Sequence, residues 1–171
     1  MAQHFRLGCA LLACLAAALA VLLVSSPRGA EASPRLDRAE RGVIRHVNRF
    51  RTRNGLPQVR PDHRLARSAE SHSRDMLGAN FFAHFSSNGE SMVQRVGSFR
   101  PARLLGEVLA SVPAGAGRLQ SRQVVAMWRR SPAHRASLLS ASFKRIGVAR
   151  RTGTLGGRRV TVFTADFASR R

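Results

Sequence analysis

Hydrophobic periodicity changes once along this chain, and that change limits the folds open to it. Between Asp37 and Trp128 apolar residues recur mainly at helical spacing; between Ile146 and Phe167 they follow strand spacing. Helices first and strands last predict an α+β domain with helices packed on an antiparallel sheet.

Residues 37–54 open with Asp37 and Glu40 at capping-box spacing, put Ala39, Val43, Val47 and Phe50 on one face, and stop at Asn54-Gly55. The opposite face carries Arg38, Arg41, Arg45 and Arg49, a basic stripe that is either a solvated surface or a seat for an anionic partner. Pro61-Asp62 begins a second helix, in which Leu65, Ala69, His72 and Met76 form a stripe that Gly78 ends. A histidine in such a stripe reads as a buried core residue. Phe81-Phe82-Ala83-His84-Phe85 then anchors a polar loop running to Ser91, and residues 104–111 read as an extended segment broken by Gly106-Glu107. Residues 112–117 read as a flexible connection, after which Ser121 caps a helix through Val124, Val125 and Trp128 that ends before Ser131-Pro132. Residues 146–149 and 160–167 read as strands joined across a glycine-bearing connection, 152–157.

Residues 1–32 have the layout of a secretory signal: Arg6, an uncharged run over 7–24, then Pro27, Gly29 and a small-residue site at Ala30-Glu31-Ala32. The run is longer than the usual h-region of about 7–15 residues and close to the roughly 20 that span a bilayer, so an uncleaved anchor over residues 7–24 is the alternative. Lipid attachment at Cys14 fits poorly, because apolar residues continue where a lipidated terminus should be polar. Cys9 and Cys14 both fall in this segment, so a mature domain over residues 33–171 has no disulfide and depends on its core. Its size is that of a single domain. The expected location is secreted, periplasmic or at the cell envelope.

Without Arg6, Arg28 and Glu31, 27 basic and 8 acidic residues remain, a net charge of +19 that is nearly all arginine. Such an excess implies an anionic partner, although genomic base composition alone would also produce it, and it says nothing about fold. For an exported chain, anionic lipid or envelope polymer is a more accessible partner than nucleic acid.

No local signature of a common enzyme is present: no HExxH, no nucleophile elbow, no phosphate loop and no cysteine pair in the mature chain. The remaining candidates are dispersed polar residues, His84, Glu107 and His134. Two imidazoles and a carboxylate suit a divalent metal such as Zn²⁺, but their spacing cannot show that they meet. They equally suit a network in which the three satisfy one another.

Several short motifs, taken in order, carry a resemblance. They are Asn48-Arg49-Phe50-Arg51, Gly55-Leu56-Pro57, His72-Ser73, Asp75-Met76, Phe82-Ala83-His84, Gly89-Glu90-Ser91 with Arg95, Gly106-Glu107, the segment from Trp128 to Arg135, Ile146-Gly147-Val148 and Asp166-Phe167. Over residues 38–168 the chain resembles bacterial members of the CAP superfamily: cysteine-rich secretory, antigen 5 and pathogenesis-related 1 proteins. The resemblance implies a CAP-like α-β-α sandwich with a small, mainly antiparallel sheet. It also implies a cleft lined by His84, Glu107, Ser131 and His134, whose counterparts bind divalent metal in some members. Ser131 stands where many plant and animal members have a second acidic residue, and Val108 where an asparagine is usual. Members have been linked to sterol or fatty-acid binding, to metal binding and to proteolysis. Membership of such a family does not settle activity; the leading expectation is a non-enzymatic extracytoplasmic binding module with a metal-capable cleft and a basic exterior, with a small hydrophobic ligand among its possible partners. The alternative is a metal-assisted hydrolase in which Glu107 is a ligand or the general base.

Overall fold

The computed structural model describes residues 36–115 and 117–170, without the side chains of residues 117 and 118. The signal or anchor expected over residues 1–32 lies outside them. Among the described residues are five helices, α1 (Arg38–Arg53), α2 (His63–Gly78), α3 (Met92–Phe99), α4 (Gly117–Arg130) and α5 (Pro132–Leu139). The four strands are β1 (Arg60–Pro61), β2 (Leu105–Pro113), β3 (Arg145–Leu155) and β4 (Arg158–Ala168). They form one mixed sheet in the order β1-β3-β4-β2. None of the described helices is long and apolar enough to cross a membrane.

Local chemistry sets the first helices. The Asp37 carboxylate accepts from Glu40 N at 2.8 Å and the Glu40 carboxylate from Asp37 N at 2.7 Å, so both exchange bonds of the expected capping box form. Gly55, at φ +71°, takes the chain out of α1. Asp62 caps α2 by accepting from Arg64 N and Leu65 N. Pro61, expected to open this helix, belongs instead to β1, which pairs in parallel with β3.

The polar loop ends at Ser91 as expected, and there Ser91 and Gln94 form a capping box that starts α3, a helix not among those expected from the sequence. Three further expectations need correction. Residues 112–113 extend β2 instead of beginning a flexible connection. Ser121 does not cap α4, which begins at Gly117. It is buried where α1 and α4 cross, so close that a Cβ on Gly42 would stand 2.6 Å from Ser121 Oγ. A small side chain permits that approach. Finally, the connection over 152–157 shrinks to Gly156-Gly157, at φ +55° and +73°, and the β3–β4 ladder runs up to that two-residue turn. Two left-handed residues match the twist of the hairpin strands.

The sheet is the middle of three layers, as the resemblance implies. On one face α1, α4 and α5 pack Val43, Val47, Phe50, Val124, Trp128 and Leu138 against Val108, Ala110, Ile146, Val148, Phe163 and Phe167. Trp128 also donates its indole N–H to the Leu109 carbonyl at 2.8 Å, which fixes α4 to the edge strand β2. On the other face α2 and α3 make two small apolar clusters, Leu65 with Val96 and Ala168, and Met76 with Leu109 and Val162. Here α2 lies with its backbone on β3: a Cβ at Gly147 would be 2.1 Å from Ala66 N. Buried core residues run from Ala39 to Ala168, so Ser33–Arg171, a compact unit by itself, contains the whole of that core.

Candidate functional site

Glu107 is the centre of the site. It lies on β2 opposite Asp166 of β4, and Asp166 lies opposite Gly147 of β3. Strand alternation turns Glu107, Thr164 and Asp166 toward α2, away from the apolar face that holds Val108, Ala165 and Phe167. The Glu107 side chain is wholly buried. One oxygen accepts from His84 Nδ1 at 2.7 Å and the other from Arg95 Nη2 at 2.6 Å.

Arg95 also holds the histidine loop. Its Nη1 donates to the His84 carbonyl and to Ser86 Oγ, both at 3.0 Å. His72, buried as expected, donates Nε2–H to the Ala83 carbonyl at 2.8 Å, and the same nitrogen lies 4.0 Å from Glu107. Its Nδ1 has no partner. Ala83, His84 and Ser86 are thus held by α2 and α3, while the His84 ring remains half-exposed with Nε2 available. A polar cavity of about 260 Å³ adjoins the loop, bounded by His72, Asp75, Ser86 and Arg95.

His134 and Ser131 come from the opposite layer. Ser131 is the N-cap of α5 and makes no side-chain capping bond; His134 is the third residue of that helix. Arg51, buried in α1, fixes the far end of α5 by donating to the carbonyls of Leu138 at 2.7 Å and Ser140 at 3.0 Å. A cation among the last carbonyls of a helix also opposes its dipole favourably. His134 is half-buried, and both burial and the charge of His84 lower its pKa, so the two imidazoles are electrostatically linked. Neither His134 nor Ser131 hydrogen-bonds to Glu107 or His84. Among the described residues, no group of three or more histidine, cysteine, aspartate or glutamate side chains is arranged to hold a metal.

The electrostatics explain how Glu107 stays ionised. Burial pushes its pKa up, but the His84 hydrogen bond, the charge of Arg95 and His72 together outweigh burial and bring it below the ordinary glutamate value. For Asp166, burial and then the neighbouring Glu107 charge raise the pKa well above the aspartate range, with Ser68 and Arg95 only partly opposing. Neither Asp166 oxygen makes a hydrogen bond of good geometry, although Ser68 and Glu107 lie near enough to act on it. The two facing carboxyls are therefore driven apart, one toward the anion and one toward the neutral acid. For His72, burial outweighs the Glu107 charge and lowers the pKa.

Of the four cleft residues read from the sequence, His84 and Glu107 are in direct contact, His134 on α5 is within electrostatic range of His84, and Ser131 is the N-cap of that helix. Arg95, His72 and Asp166 complete the network without having been singled out for the site. The Ser91–Gln94 capping box was a signal for Arg95, since it predicts the helix that carries it. An aspartate inside the apolar strand sequence from Val160 to Phe167 was a signal for Asp166.

Comparison with known proteins agrees with this architecture. Residues 44–167 match the model of the CAP family, described as the cysteine-rich secretory protein family. The Bacillus subtilis protein YkwD is 32% identical over 110 residues, 64% of this chain and 41% of that protein. The chain therefore spans less than half the length of that relative. An outer surface protein of Borrelia burgdorferi superposes with a TM-score of 0.67 at 20% identity, over 82% of this chain and 100% of its own. An extracellular Bacillus anthracis protein containing an SCP domain superposes with a TM-score of 0.62 at 25% identity, over 77% of this chain and 40% of that one. With the family match covering most of its length, the chain belongs to the CAP family of cysteine-rich secretory proteins.

Proposed function

We propose that this domain works outside the cytoplasm as a non-enzymatic binding module, with a cleft that takes one divalent cation between His84 and His134 and a basic exterior that attaches to an anionic envelope. The observation that carries the cleft reading is the bond from His84 Nδ1 to Glu107, itself neutralised by Arg95. A carboxylate behind an imidazole fixes its orientation and tautomer, the usual second shell of a metal-binding histidine. The donors fit a cation such as Zn²⁺ held by two imidazoles, with Glu107 orienting His84 and Ser131 a weak fourth group. When bound, the ion would supply a positive charge and open positions for a ligand's oxygen atoms. Two protein ligands beside the Arg95 guanidinium make this a weak site. The leader-like segment and the extracellular Bacillus anthracis relative support the location.

A hydrolase reading asks Glu107 to take a proton from water. Both its oxygens are bonded and its pKa is lowered, which makes it a poor base, so we do not favour that role. Calorimetric titration of Zn²⁺ into residues 33–171, beside folded His84→Ala and His134→Ala variants, tests the cleft. One-to-one binding lost in both variants is expected. Equal binding in all three proteins, or none in the parent, would leave His84 and Glu107 as a structural network.

A further inference from the structure

We infer that the joined outer faces of α1 and α4, continued onto α5, are the surface by which this domain sits on an anionic phospholipid membrane. The inference rests on the attachment reading above and gives it a face and a partner. Arg38, Arg41, Arg45 and Arg49 are exposed along α1, Arg122 and Arg129 along α4, and Arg135 on α5. These rows form one plate. The helices cross at backbone-close range where Gly42 meets Ser121. His46 of α1 feels the charges of Arg49, Arg45 and Arg122, which puts the α4 row beside the α1 row. At the other end Arg129 and Arg135 both cover the Phe50 ring, at 4.7 and 5.1 Å from its centroid.

Among the described residues, no carboxylate forms an ion pair with the arginines of this plate. The acidic residue within α1, α4 and α5 is Glu40, which is buried and accepts from the backbone of Asp37 and Arg150. Among the described residues, ion pairs involve Arg74, Arg95, Arg100, Arg150 and Arg151, none of them on these three helices. Like charges held together without counterions are destabilising unless an external anion is near, and guanidinium suits phosphate in particular.

The shape selects among anionic partners. Two packed helices, each about 10 Å wide and 8–10 Å apart, are too broad for the roughly 12 Å major groove of duplex DNA. A single-stranded nucleic acid calls for a basic groove with aromatic platforms, whereas Phe50 lies buried under its arginines. A broad, arginine-covered plate fits an array of lipid phosphates.

The test is cosedimentation of residues 33–171 with phosphatidylcholine vesicles, with and without phosphatidylglycerol, and separately binding to soluble long-chain polyphosphate. One variant combines Arg45→Gln, Arg49→Gln and Arg122→Gln. A second, of equal charge loss, combines Arg103→Gln, Arg158→Gln and Arg159→Gln at exposed positions elsewhere. Each basic residue near an anionic surface contributes about fivefold in affinity, so the first variant is expected to lose about 100-fold and the second far less. Equal losses would overturn the choice of face. Binding of the parent to polyphosphate but not to phosphatidylglycerol vesicles would overturn the membrane and keep the anionic attachment. Binding to neither would remove both.

Discussion

The face of the sheet under α1, α4 and α5 contributes Val108, Ala110, Ile146, Phe163 and Phe167 to one continuous apolar cluster, whereas the face under α2 and α3 divides its apolar residues into two small groups. Between and beside those groups lie His72, Ser73, Arg95, Glu107, Thr164 and Asp166, all buried. The same strands build both. Burying charged and partly unpaired groups costs stability that a hydrophobic filling would not, so the fold rests chiefly on the dry face and the polar face is kept for the site.

Replacement of Trp128 by Ala strikes the dry face. It should cost about 3–5 kcal/mol in chemical denaturation, through lost packing and the resulting cavity, with the Leu109 carbonyl also losing its donor. A loss below about 1 kcal/mol would break the comparison.

The polar face should instead show itself in pH dependence. The lowered pKa of His72 means that the unfolded chain binds its proton first. That stability is present above the unfolded value of about 6.5 and is lost as pH falls through the folded value. His46 and His134 shift the same way. Asp166 has the opposite sign: its contribution is full below the ordinary aspartate pKa and is lost as pH rises toward the raised folded value. Thermal melts should therefore show Asp166→Asn gaining on the parent as pH rises from 4 to 8, and a His72→Gln variant losing less than the parent as pH falls from 8 to 5. Parallel curves for either pair would contradict the assigned shift.

A smaller effect sharpens the picture of how the site is held. Removing the α3 cap by Ser91→Ala should cost about 1 kcal/mol. It should also speed hydrogen exchange in the loop whose carbonyl at His84 is held by Arg95. Exchange faster in α3 alone would show that the loop stands without it.

The legible parts of the sequence were those where several local signals agree. In α1 the Asp37–Glu40 box, the apolar stripe and Asn54-Gly55 all give one answer. In α3 only two of eight residues, Arg95 and Val96, are buried and the other six are partly or fully exposed, so periodicity is weak and only the cap betrays the helix. Ser121 was misread because a small polar residue serves equally as a cap or as a close-packing contact, and only the position of Gly42 decides. The family motifs pointed to His84 and Glu107. The strand register that faces Glu107 with Asp166 across 59 residues, and the helix packing that adds His72, are tertiary facts with no local signature.

The most direct test is the denaturation free energy of Arg95→Met, Glu107→Leu and the two combined. If the polar face serves the site, each single change should cost about 3–5 kcal/mol by stranding a buried charge, and the pair together should return the protein to its parent stability or exceed it by about 1–4 kcal/mol. A double variant that loses the sum of the singles would show the network to be a support of the fold, and would contradict this division between the faces.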